Sequence, residues 1–257
     1  MITLAIANQK GGTGKTTTAL ALGHKLAIEG YRVLLVDTDA QGHLAAGLGI
    51  DKAPGIERLV SWREGEGSPL IVTARQRLDL IPSNARTSNA KQRLSAMPFR
   101  EDFLDKALEE LTDYDVALID CAPSVDVLHT SAVVAADWLI VPTRLDYLAV
   151  DGVNEVIMFL RNVKQYRDAA NLLGVLPTFY DRRTKETLEQ LKSLIQTFGD
   201  LVSPPIPIDV KLREAPAFGQ TIWEYAPNTR SIMGIDTNGN AYGGYARFVE
   251  QVREAVL

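Results

Sequence analysis

Near-continuous apolar runs alternate along the chain with stretches whose apolar positions recur every three or four residues. Residues 2–7, 32–37, 115–120, 137–143 and 172–177 are short runs rich in Ile, Val and Leu, a pattern suited to strands buried on both faces of a parallel sheet. Between them, residues 18–27 up to Gly30, the set Phe103, Leu104, Ala107, Leu108 and Leu111, residues 153–163, and the set Tyr245, Phe248, Val249, Val252 and Val256 carry helical spacing. Strand and helix in alternation predict an α/β fold: a doubly wound, mainly parallel sheet with helices on both faces and ligands at the strand C-termini. From residue 47 to 89 the pattern loosens. Short strands are expected at 70–72 and 78–82, within a surface excursion to which no chemistry is assigned.

The first strand-to-helix junction reads Lys10-Gly11-Gly12-Thr13-Gly14-Lys15-Thr16-Thr17. Gly11, Gly12 and Gly14 admit backbone angles closed to other residues and let main-chain N–H groups approach an anion. The following helix adds the positive end of its dipole and its unpaired donors. Lys15 reaches outer phosphates, and Thr16 offers its hydroxyl to Mg²⁺. An ordinary glycine-rich turn would match these fixed residues in only about 10⁻⁵ of chains this size. A phosphate clamp of the P-loop kind is the better reading.

Two acids arrive beside the clamp. Asp37 ends the second strand and Asp39 follows it, and a right-handed strand–helix–strand unit puts both at the edge that carries the glycines. Carboxylates next to phosphate imply an intervening cation, so Mg²⁺ is expected. For Asp39 the alternative is a helix cap. Asp120 likewise ends the strand at 115–120, with a helix expected after it, capped by Ser124 or Asp126.

The usual P-loop places Gly where this chain has Gln9, and adds no lysine at position 10. Lys10 through Thr16 resembles the deviant Walker A motif, Lys-Gly-Gly-x-Gly-Lys-Thr, of the ParA/MinD family of ATPases. Asp37–Gly42 is similar to that family's Asp-x-Asp-Pro-Gln-Gly, with Ala40 in place of the proline. Asp120 resembles the Walker B aspartate, with Ala122 replacing the first of two prolines, and 211–219 is similar to the segment Leu-x-Glu-Ala-Pro-x-x-Gly. The resemblance implies ATP hydrolysis with ATP and Mg²⁺ as cofactors. It implies that Lys10 contacts nucleotide held by a second subunit of an ATP-dependent homodimer, that Asp39 orients the attacking water, and that Lys15 and Lys10 neutralise developing charge. Thr16, Asp37 and Asp120 become the metal candidates. Thr178, Pro207 and Asp209 take positions bordering the adenine.

Composition narrows the setting. A length of 257 residues with 46% hydrophobic content suits a single domain over 1–257. Met1 leads into the first strand, so neither a signal peptide nor a DNA-reading N-terminal module is expected, and no run is long enough to span a bilayer. One cysteine, Cys121, excludes a disulfide framework and fits a cytoplasmic setting. It also cannot supply the cysteine pairs that the related nitrogenase iron protein uses for its cluster, and core packing is expected for it rather than nucleophilic chemistry. His24, His43 and His129 stand at unrelated spacings and receive no ligand role.

A net charge of −5 gives no global attraction to nucleic acid, so DNA binding requires a local basic face. Arg161, Lys164, Arg167, Arg182, Arg183, Lys185, Lys192, Lys211 and Arg213 make the second half locally basic, either as solvated helix faces or as a patch for DNA phosphates. Arg182, Arg183, Lys211 and Arg213 are the first candidates for the patch. The turn-rich stretch at 235–240 departs from the family pattern. The C-terminal stripe is expected to pack on the sheet, because Glu250 and Glu254 offset Arg247 and Arg253 and leave no cationic excess for anionic lipid. The resemblance implies a ParA-type partition ATPase that binds DNA nonspecifically, associates with the nucleoid when ATP-bound and answers to a ParB-like activator or cargo adaptor. A membrane-recruited division-site regulator and a metabolic or metal-handling ATPase remain alternatives.

Overall fold

The structure is a computed structural model that describes residues 1–237 and 240–257. A seven-stranded sheet runs in the order β3-β4-β2-β5-β1-β6-β7, with β1 Ile2–Ile6, β2 Val33–Asp37, β3 Val72–Arg75, β4 Leu78–Ile81, β5 Val116–Asp120, β6 Trp138–Arg144 and β7 Asn171–Thr178. All pairings are parallel except the antiparallel edge between β3 and β4. A short antiparallel pair, β8 Ile235–Thr237 and β9 Asn240–Tyr242, stands apart. It covers most of the turn-rich stretch; Asn238 and Gly239 lie outside the described residues.

Alternation along the central strands builds two cores. Ala5, Leu34, Val36, Ala117, Ile119, Leu139 and Val141 face one side, where they meet α3 Gly55–Arg63, α4 Thr87–Ser95, α5 Phe103–Glu109, α6 Val127–Ala135, α7 Ala149–Lys164 and α8 Lys185–Phe198. Leu4, Ile6, Val33, Leu35, Leu118 and Ile140 face the other, against α1 Lys15–Ile28, α2 His43–Leu48, α10 Ile222–Tyr225, α11 Arg230–Met233 and α12 Tyr245–Val256. One further short helix, α9 Lys211–Glu214, precedes a 3₁₀ turn at Ala215–Phe218. The expected doubly wound sheet is thus observed. Tyr245, Phe248, Val249 and Val252 of α12 are buried in the second core, so the apolar stripe is spent on packing, as expected. Among the described residues no helix is long and apolar enough to cross a membrane.

The stretch from 47 to 89 corrects the sequence reading. It is not a surface excursion: β4 pairs with β2 in parallel from Val33↔Leu78 to Val36↔Ile81, and Leu78, Leu80, Ile81, Ile56, Leu59 and Val60 are fully buried. The first expected strand is displaced from 70–72 to Val72–Arg75. As an antiparallel edge strand with a register shift and half-exposed side chains, it lacks the apolar signal of the central strands. The helices α3 and α4 escaped notice because short apolar faces are set among charged and polar residues.

Candidate nucleotide site

The glycine-rich loop leaves β1 at the C-terminal edge of the sheet. Asn8 fixes its start: the fully buried side chain donates Nδ2 to the Pro142 carbonyl at 2.9 Å and accepts the Lys10 N–H at 2.9 Å. Sequence reasoning missed this residue, because an amide ahead of the glycines looks no different from an ordinary surface asparagine. Gly12 and Gly14 take φ of +70° and +93°, where a side chain would be strained. A Cβ at Gly11 or Gly12 would meet nothing within 4 Å, so the loop borders open space. Gly14 caps α1, whose first turn contains no acidic residue, leaving the positive helix end uncompensated. The Thr178 hydroxyl at the end of β7 donates to the Thr13 carbonyl at 2.9 Å. Thr17 faces Leu212, Ala215 and Pro216 across a small cleft.

Lys15 is buried and its Nζ donates to the Lys10 carbonyl at 3.0 Å. Burial pushes its pKa down, against the opposing pull of Asp120 and Asp39. Lys10 has another place: its Nζ donates to the Leu148 carbonyl ahead of α7. Thus one lysine lies inside the cradle and one on its rim.

Asp37 and Asp120 are register partners on adjacent strands, in a sheet whose strands stand about 4.8 Å apart. Burial pushes the Asp37 carboxyl well above the ordinary carboxylate range, and the neighbouring Asp120 charge adds to that. Burial raises Asp120 to about 7, against the pull of a Thr16 hydroxyl bond and of Lys15. Two neighbouring acids kept short of full ionisation chiefly by burial are a site for a cation. The fit is specific at Asp120, whose Oδ1 is buried without a hydrogen-bond partner. Thr16 and Asp120 are the residues that would hold Mg²⁺, the remaining ligands coming from phosphate oxygens and water, in keeping with the ion's preference for few carboxylates. No cluster of three or more His, Cys, Asp and Glu able to hold a metal occurs among the described residues. Bound there, Mg²⁺ would neutralise charge on the phosphates being parted.

Asp37 acts on the backbone. Its Oδ1 accepts the Asp39 N–H and its Oδ2 the Leu44 N–H, both at 3.0 Å. The helix cap considered for Asp39 is therefore made by Asp37, while Asp39 is half-buried and accepts the Gln41 N–H at 3.0 Å. Thr38 ties the two acidic loops together, donating to the Asp120 carbonyl at 2.9 Å and accepting the Ala122 N–H at 3.3 Å. Of the two caps considered for α6, Asp126 accepts the Leu128 and His129 N–H groups. Cys121 is buried in the core, which pushes its thiol up and leaves it inert. His24 bonds Thr221 and His129 bonds the Ala122 carbonyl.

The residues expected on the adenine side fall near one another. Tyr180 just beyond β7 exchanges backbone bonds with Ile206 and Ile208 around Pro207. The Asp209 carboxylate, however, is taken up inside the fold: it accepts the Lys211 N–H at 3.0 Å, the Ser231 N–H at 3.1 Å and the Thr229 hydroxyl. The four basic candidates flank the same pair of loops. Arg182, Arg183 and Arg213 are exposed and Lys211 half-buried, Arg183 is paired with Asp181 at 2.8 Å and Lys211 with Glu214 at 2.9 Å, and Arg230 joins Arg182 and Arg183 along one open cleft.

A family model described as an AAA domain matches residues 1–172. The chromosome-partitioning ATPase Soj of Treponema pallidum is 38% identical over 226 residues, which cover 87% of this chain and 89% of that protein. The chain belongs to the ParA/MinD family of ATPases, in its ParA/Soj branch. The chromosome partitioning protein ParA of Caulobacter vibrioides NA1000 is 38% identical over 233 residues, covering 86% of each chain. Among solved structures, cobyrinic acid a,c-diamide synthase from Mycobacterium smegmatis, with bound ATP analogue and magnesium, superposes with a TM-score of 0.74 at 35% identity, covering 85% of this chain and 93% of that one. This ParA/Soj-type protein is accordingly an ATPase, and the ATP and Mg²⁺ expected from its sequence agree with the ligands of that neighbour.

Proposed function

We propose that this ATPase is an ATP-switched DNA partition or cargo-positioning protein: ATP closes a homodimer, the dimer holds DNA without reading its sequence, and a ParB-like partner triggers hydrolysis and release. The observation that carries the reading is the separation of the two lysines. Lys15 already serves the cradle, whereas Lys10 stands on its rim beside Leu148 and the three-quarters exposed Tyr147, where a second subunit's nucleotide can be met. Asp39 orients the water that attacks the γ-phosphate in line, Lys15 and the partner's copy of the rim lysine take up charge on the phosphoryl oxygens, and Thr16 and Asp120 hold Mg²⁺. Arg182, Arg183, Lys211 and Arg213 supply the phosphate contacts with DNA.

The test is DNA retention by the purified protein with no nucleotide, ADP, ATP or a slowly hydrolysed ATP analogue, across several salt concentrations, with Lys10→Ala alongside. Retention confined to the ATP forms, indifferent to sequence and falling steeply with salt, is expected, and Lys10→Ala should still bind ATP yet neither dimerise nor retain DNA. A wild-type protein that ignores DNA in every state would remove the DNA reading. A Lys10→Ala protein that dimerises normally on ATP would remove the role in trans. In the absence of DNA retention, a metabolic ATPase, a class in keeping with the synthase named for the Mycobacterium smegmatis neighbour, becomes the reading to pursue.

A further inference from the structure

The helix that follows the Asp39 loop, α2, and the segment that carries Lys211 and Arg213 are joined by one side chain, Arg75 of the edge strand β3. Its guanidinium donates Nη1 to the Leu48 carbonyl at 3.2 Å, at the last residue of α2, and Nη2 to the Gly219 carbonyl at 2.8 Å, just past the 3₁₀ turn. Nη1 also donates to the Ala74 carbonyl at 2.7 Å. Nε and Nη2 grip Glu224 of α10 at 2.6 and 3.2 Å. The fork thus spans three elements that are distant in sequence.

Backbone contact reinforces the fork. Gly49 and Gly219 both have positive φ, and a Cβ built on Gly219 would stand 2.6 Å from the Gly49 Cα, so the two chains touch with no room for side chains. The other end of α2 is fastened by Asp37 through Leu44, which makes this six-residue helix a short rod between the Asp39 loop and Arg75. On the far side, Glu224 is followed by Tyr225, whose hydroxyl donates to Glu214 at 3.0 Å, and Glu214 in turn pairs with Lys211. The links are hydrogen bonds, ion pairs, one backbone contact and the peptide bond from Glu224 to Tyr225.

We propose that Arg75 is a positioning residue that couples the γ-phosphate-sensing Asp39 loop to the 211–219 segment, so that a shift of α2 on ATP binding resets Lys211 and Arg213. The proposal rests on the reading that Asp39 serves the γ-phosphate; it does not depend on what the 211–219 segment binds. Coupling requires an element that both sites bias, and α2, fastened by Asp37 at one end and by Arg75 at the other, is the element placed between them. A lysine at position 75 would keep the charge but could not bridge two carbonyls and a carboxylate at once.

Amide hydrogen exchange at 211–219, measured with Mg²⁺-ADP and with Mg²⁺ and a slowly hydrolysed ATP analogue, tests the coupling, since both ligands carry the adenine and differ in the γ-position. In the wild type the exchange should differ between the two states by at least about fivefold, the lower end of ordinary allosteric coupling. In Arg75→Lys the difference should collapse while affinity for the analogue is kept. Glu224→Gln, which leaves Arg75 in place and loosens its anchor, provides a second variant should the first fold poorly, and should reduce the response. Equal exchange in the two wild-type states, or a full response in both variants, overturns the proposal. Failure of the DNA reading shows separately: a wild type that retains no DNA while its 211–219 exchange follows nucleotide through Arg75 would sink that reading and leave the coupling intact.

Discussion

At the N-terminal end of α2 the backbone is fastened by Asp37, a carboxylate buried against a second carboxylate, whereas at the C-terminal end it is fastened by Arg75, whose charge is matched by Glu224. The first end is electrostatically incomplete: Asp120 keeps an unpartnered oxygen and both acids resist ionisation. The second end is complete, its guanidinium donating to three carbonyls and a carboxylate. Burying an unsatisfied group costs free energy that an arriving ligand can recover, whereas a satisfied one holds its partners in place without a ligand. The proposed chemistry is therefore set at the Asp37 end and the proposed coupling at the Arg75 end.

The largest expected effect lies at the incomplete end. Asp39→Ala should lower ATP turnover by about 10² or more, within the usual range for a positioned proton acceptor or water-orienting group, while ATP binding holds and the ATP dimer accumulates. Unchanged turnover in a steady-state phosphate-release assay would take Asp39 out of the hydrolytic role.

Next in size is the release of electrostatic strain. The folded-state pKa of Asp120, about 7, lies above its ordinary 3.8, so the native state holds the proton more tightly than the unfolded chain, and ligand-free stability falls as pH rises from about 4 to 7. Asp120→Asn removes that titration and should stabilise the nucleotide-free protein by roughly 1–3 kcal/mol at pH 8 and by little near pH 4. Thermal melts of both proteins across this range, without Mg²⁺, measure the difference. A gap that is flat with pH would show that burial does not raise Asp120.

The smallest effect belongs to the completed end. Glu224→Gln should cost less than about 1 kcal/mol at pH 7, because the Arg75–Glu224 pair keeps partial solvent contact on both sides. A calorimetric loss several times larger would mean that the fork is a major source of stability and would blunt the contrast between the ends of α2.

These contrasts also explain what could be read in advance. The phosphate clamp was legible because its parts are contiguous: glycines, lysine and threonine act through backbone angles and short reach, and they must follow one another between strand and helix. Asp37 and Asp120 were legible as acids closing apolar runs, and Asp39 as the acid in the loop that follows the first of them. The division of labour among them was not, since whether Asp37 faces an ion or the Leu44 N–H depends on where α2 turns back. Asn8, Thr38 and Arg75 gave no usable signal, because each acts on main-chain carbonyls or amides that could belong to any residue type.

The sequence by itself determined the alternation of buried strands and covering helices, the anion cradle and the acids at its edge, because hydrophobic periodicity and local backbone preference act over a few neighbouring residues. Only the tertiary structure decided that residues 47–89 complete the sheet, that the Asp209 carboxylate is taken up inside the fold, and that Arg75 joins Leu48 to Gly219. Those outcomes depend on backbone groups far apart in the chain meeting at hydrogen-bond distance, and a linear pattern of side chains carries no record of that meeting.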